Sequence, residues 1–218
     1  MSSSNPNERT AEPGEPQHGA AGGRPGTTDW RPDTKDWTWV MTRACAECGE
    51  DVSDLSPQDI AARIRQALPL WQRLLVGEAF GTGRTGIESS GGDHEAALRR
   101  RPAANTWSPL EYAAHIRDVF RVMHYRLDLM LREDAPTFPD WDQDQSAIED
   151  RYNEQDPRVV SVQLASGGRG FADALDSTLG RDLGRRGIRS NGSEFTVESF
   201  ARYAWHDVAH HLHDVGLR

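Results

Sequence analysis

Four stretches of the chain repeat their apolar residues at intervals of three and four, and each opens on a helix-start signal. Ser56-Pro57-Gln58-Asp59 offers a serine cap and a proline at the first helical position, where its missing N–H costs nothing. Ile60, Ile64, Ala67, Leu68, Trp71, Leu74 and Leu75 follow it. Ser108-Pro109-Leu110-Glu111 adds a reciprocal Glu to the same pattern, a capping box, ahead of Ile116, Val119, Phe120, Met123, Leu127, Met130 and Leu131. Asp156-Pro157 precedes Val159, Val160, Val162, Leu164, Phe171, Ala174, Leu175 and Leu179, and Thr196 caps a run with Val197, Phe200, Ala201, Ala204, Val208 and Leu212. Such spacing puts the apolar residues of each helix on one face, which must be buried against the other helices. The pattern predicts an all-α four-helix bundle. Pro69 should kink the first helix, and Gly167, Gly168 and Gly170 should bend or break the third. Only Thr38 to Thr42 reads as a strand.

The rest divides around that bundle. Residues 1–29 are rich in Gly, Pro, Ser, Glu and Asn, with almost nothing apolar to offset the entropy of ordering, and are expected to be a disordered extension. Residues 30–55 form a Trp-rich and CxxC segment, whose Trp30, Trp37 and Trp39 should pack on the bundle formed by residues 56–218. Gly77 to Asn105 reads as a flexible loop. Its glycines do not make a phosphate-binding loop, since no apolar strand precedes them and no GK[ST] occurs. Arg132 to Gln155 is a polar crossover in which Trp141-Asp142-Gln143-Asp144 suggests a lid or rim over a pocket, and Gly180 to Glu194 is a further loop.

A length of 218 residues suits one folded domain, and a net charge of −9 argues against a nucleic-acid or anionic-membrane partner. The chain has no long apolar run and no secretory start, so the cytoplasm is the expected location.

The candidate chemistry lies in histidines and cysteines. In Trp205-His206-Asp207-Val208-Ala209-His210-His211-Leu212-His213-Asp214, a helix projects His206 and His210 together, while His211 turns away. Two imidazoles do not complete a catalytic divalent-metal site, which usually takes three protein ligands and keeps a position open. His115, early in the second helix, is the best third ligand, ahead of His18, His94 and His124. The competing reading is a solvated helix end whose imidazoles favour the negative end of the helix dipole. Asp207, Asp118 or Asp214 would orient a ligand imidazole. Cys45-Ala46-Glu47-Cys48-Gly49 has the shape of half a zinc knuckle without its other half, leaving three readings open: a second metal site completed from a distance, a redox pair, or two free thiols.

Four helices with one long crossover, Trp107-Ser108-Pro109-Leu110-Glu111-Tyr112-Ala113-Ala114-His115, and His206-Asp207-Val208-Ala209-His210 together resemble the DinB-like superfamily. That superfamily includes bacterial thiol S-transferases and mycothiol-dependent maleylpyruvate isomerase. The resemblance implies a divalent metal, zinc or nickel, held at one end of the bundle by a histidine triad matching His115, His206 and His210. It also implies a metal-dependent transferase that activates a low-molecular-weight thiol such as mycothiol for attack on a small electrophilic substrate. A metal-dependent hydrolase using hydroxide at the same open position is the alternative, and a non-catalytic metal- or redox-responsive binding protein is a third reading. Partners would then be a small-molecule substrate and a thiol, with no nucleic acid and no membrane. Whether the bundle pairs as a homodimer is left open.

Overall fold

A computed structural model describes residues 37–77, 91–139 and 141–218. The expected N-terminal extension, Trp30, His18 and residues 78–90 of the expected Gly-rich loop lie outside the described residues, and the rest of that loop carries a helix, Gly91–Arg99, where no regular structure is expected. Among those described, four long helices make the body: α1 (Pro57–Val76), α3 (Pro109–Arg132), α5 (Pro157–Asp176) and α6 (Val197–Asp214). Two short helices, α2 (Gly91–Arg99) and α4 (Gln143–Glu149), lie in the connections. Helix α5 packs on both α1 and α3, and α6 packs on the same two, so the four surround one core. Trp71, Ile60 and Ile64 of α1, Phe120 and Leu127 of α3, Phe171 of α5 and Phe200 of α6 are all essentially inaccessible to water. Burying side chains of this size at about 1.5–3 kcal/mol each is the main force holding the helices together.

The caps form as the sequence predicts. Ser56 accepts from the Asp59 N–H and Ser108 from the Glu111 N–H, each with the reciprocal carboxylate bond, and Thr196 accepts from Ser199. Helix α1 runs through Pro69 to Val76, with the proline exposed while Leu68, Trp71, Leu74 and Leu75 stay buried around it. The expected break in α5 is absent. Gly168 lies at a close crossing, where a Cβ would stand 2.4 Å from Leu68 Cδ2 and 2.9 Å from Phe120 Cε2. The glycine there serves the approach of three helices, and that packing outweighs its poor helix propensity of about 1 kcal/mol.

Other segments differ from expectation. Thr38–Met41 is a 3-10 turn packed on α6, not a strand. The strands lie elsewhere: β1 (Thr137–Phe138) pairs parallel with β2 (Arg186–Arg189), which pairs antiparallel with β3 (Glu194–Thr196). A hairpin therefore occupies the stretch expected to be a loop. Its turn is Asn191-Gly192, with Gly192 at φ 87° and its N–H donating to the Arg189 carbonyl. Asn-Gly between Ile188 and Phe195 is a hairpin signal by itself. Because β3 runs directly into Thr196, the sheet sets where α6 begins.

Candidate metal centre

Helix α6 carries two i,i+4 pairs offset by a single residue, His206/His210 and Asp207/His211. One residue along a helix turns the side chain by about 100°, so the pairs face different surroundings. The structure separates the expected histidine triad accordingly. His115 meets Asp207 and His211, whereas His206 and His210 meet Cys45 and Cys48. In each group the ligand atoms lie within 4.8 Å of one another.

In the first group, Asp207 bridges the two imidazoles. One carboxylate oxygen lies 3.7 Å from His115 Nε2 and the other 3.3 Å from His211 Nε2. Ligands held about 2.0–2.1 Å from one tetrahedral cation stand about 3.3–3.4 Å apart, and the two carboxylate–imidazole distances lie near that spacing. The set is open on one side: the Asp207 and His211 side chains are 26% and 15% exposed, while His115 is fully covered.

Neighbouring rings and carboxylates fix the orientation of each group. His211 Nδ1 donates to Asp214 at 2.7 Å, which aims Nε2 at Asp207. A carboxylate on the far nitrogen of a ligand imidazole is the usual way its tautomer and ring direction are set. The Tyr112 ring packs on His211 at 4.8 Å, and the Trp141 ring lies parallel to His115 at 5.6 Å with 9° between planes. Trp107 closes on His115 from another side at 5.1 Å. Trp141 thus brings the polar crossover over this centre. Asp118 plays no such orienting part; it accepts from Tyr152 at 2.6 Å and from Arg117 at 2.8 Å.

Charge separates the residues of this centre. Burial opposes the charge on His211, but its bonds to Asp207 and Asp214 overcome that and push its pKa up to about 9. Asp207 is held far below the ordinary carboxylate range by the two imidazoles, against the burial that would raise it. The Asp207, His211 and Asp214 side chains therefore form an ion-paired row. His115, by contrast, has its pKa lowered by burial, against the pull of Asp207. Both of its ring nitrogens are buried without a hydrogen-bond partner. An orphaned buried nitrogen costs about 1–3 kcal/mol, and a cation at Nε2 would relieve one of the two. The donor set fits a divalent metal.

A family model described as the DinB superfamily matches residues 93–215. The chain belongs to the DinB superfamily. The matched span contains His115, Asp207 and His211 and begins well after Cys48. Among solved structures, the chain is similar to YfiT from Bacillus subtilis, described as a probable metal-dependent hydrolase with an unusual four-helix bundle topology. That similarity has a TM-score of 0.55 at 16% identity and covers 70% of this chain and 82% of YfiT, which establishes the shared fold. Curated proteins give no match. Among the described residues, no helix is long and apolar enough to cross a membrane.

Sequence reasoning singled out His115 and this helix but grouped His115 with His206 and His210, where the structure brings it to Asp207 and His211. The signal was present, since Asp207 and His211 share the i,i+4 spacing of His206 and His210. Counting only histidines hid it.

Proposed function

We propose that this DinB superfamily member is a metal-dependent hydrolase acting on a small electrophilic substrate, with its divalent cation held by His115, Asp207 and His211. The observation that carries the reading is the convergence of these three ligands around a buried imidazole with no hydrogen-bond partner, on a side where solvent reaches Asp207 and His211. The description of YfiT supports hydrolysis over thiol transfer. A cation bound there would lower the pKa of a coordinated water toward neutrality and polarise a substrate oxygen. The protein's own part is placement. Asp214 fixes the His211 tautomer, Trp141 and Trp107 hold His115 in a dry slot, and Asp207 brings a negative charge that favours a dication.

The same centre would suit a thiol in place of water, and that transferase reading is tested in the same assay. Metal-stripped protein reloaded with zinc or nickel is offered a panel of esters, amides and epoxides, with and without a low-molecular-weight thiol. Turnover in water alone, abolished by stripping and restored by metal, is the expected result. Turnover only with thiol would replace the hydrolase reading with the transferase one, and turnover by stripped protein would remove the metal from both.

A further inference from the structure

Beside this centre, the other half of α6 holds donors that the proposed reaction does not use. Cys45 Sγ lies 3.8 Å from His210 Nδ1, and Cys48 Sγ lies 3.8 Å from His206 Nε2. Around a tetrahedral zinc with Zn–S near 2.3 Å and Zn–N near 2.0–2.1 Å, sulfur and nitrogen stand about 3.5 Å apart. We propose that Cys45, Cys48, His206 and His210 form a closed four-ligand zinc site that fastens the segment preceding α1 to α6, separate from the centre at His115. Two thiolates and two imidazoles match the ligand preference of structural zinc, and four protein ligands leave no position for substrate.

Three features build this site from the backbone outward. Gly49 takes φ 74°, a left-handed conformation with little cost only for glycine, so the chain turns back after the second cysteine. The Gly49 N–H donates to the Cys45 carbonyl at 2.9 Å, and the Cys45 N–H donates to the Glu50 carbonyl at 2.8 Å. The turn is then pinned from outside. The buried Glu50 carboxylate accepts from Trp205 Nε1 at 2.7 Å, from Arg63 at 3.0 Å and from Arg218. Finally, the imidazoles are aimed and covered. His210 Nε2 faces Glu47 at 3.7 Å and Asp214 at 3.9 Å, which leaves Nδ1 for the cluster. The Trp37 ring lies over both imidazoles, with centroids 5.0 Å from His210 and 5.6 Å from His206. Cys45, His206 and His210 are buried and Cys48 is half-buried. The cysteine loop lies outside the span matched by the DinB superfamily model, while His206 and His210 lie within it, so the clamp ties a segment beyond that span to the family region's last helix.

Zinc analysis of the full chain, purified under reducing conditions, tests the proposal. The wild type should hold one equivalent more than Cys45→Ser or Cys48→Ser, and His115→Ala should keep the equivalent that the cysteine variants lose. Cobalt-loaded wild type and His115→Ala should both show a thiolate-to-cobalt charge-transfer band, absent from Cys45→Ser. Should the serine variants fail to fold, alkylation of wild-type Cys48 with and without chelator reads the same site, with labelling accelerated when metal is removed. Serine variants with undiminished zinc, a wild-type cobalt spectrum without the band, chelator-independent labelling, or a mass showing a Cys45–Cys48 disulfide would each overturn it. None of these readouts depends on turnover, so the clamp fails or stands independently of the hydrolase reading.

Discussion

The two faces of α6 use nearly the same residues to opposite ends. On one, His206 and His210 meet a buried and a half-buried sulfur; on the other, Asp207 and His211 meet one imidazole beside solvent. The difference lies in softness, charge and closure. Sulfur donors and four-fold enclosure suit a cation that only holds structure, whereas a carboxylate and three-fold coordination leave room for chemistry. Adjacent residues serve both faces, so fixing one also positions the other.

The largest expected effect is on the open face. His115→Ala and Asp207→Ala should each lower kcat/KM by more than about 100-fold, above the 10–100-fold range typical of outer partners. Both should retain the metal bound through the cysteines, as metal analysis would show. If either variant loses all metal, the two faces are one site. Asp214→Asn, which spares the ligands but weakens the hold on His211 Nδ1, should cost about 10–100-fold in metal affinity or activity, measured by competition with a chelator.

A pH series on metal-stripped protein sharpens the contrast, because the linkage has opposite signs at His206 and His211. Burial, helped by His210, lowers His206 from its ordinary 6.5 to about 4. The unfolded chain then binds protons more readily, so the stability associated with neutral His206 is present above 6.5 and is lost as pH falls toward 4. His211, raised to about 9, contributes stability that is fully present below 6.5 and lost as pH rises through 9. Denaturant unfolding across that range should show His206→Ala flattening the acid limb and His211→Ala the alkaline one. Coincident effects of the two variants would contradict the division. The smallest expected effect is that of Trp141→Ala, which removes the ring stacked on His115. It should lower stability by about 0.5–1.5 kcal/mol beyond the lost burial, with both metals retained.

Much of the bundle was legible because caps and apolar stripes are local. Ser56, Ser108, Asp156 and Thr196 act within three residues of themselves, and the stripes need only the helical period. The β2–β3 hairpin is local, and a loop reading overlooks its Asn191-Gly192 signal, whereas β1 escaped because its partner lies far along the chain, with Thr137 opposite Ile188. Gly168 misled for a related reason, since its value lies in Leu68 and Phe120, far away in sequence. At the site, the identity of the helix and of His115 was legible, while the partners were not. A helix states which residues share a face; it does not state what that face will meet.

By itself, then, the sequence determined four amphipathic helices, their starts, and the presence of imidazole, carboxylate and thiol donors near one end. Only the tertiary structure decided that His115 goes with Asp207 and His211 and that the cysteines go with His206 and His210. The physical reason is angular. One residue of helix rotation, about 100°, separates the two donor pairs, and the angle at which α6 settles against α3 and the cysteine turn is fixed by the packing of the whole core.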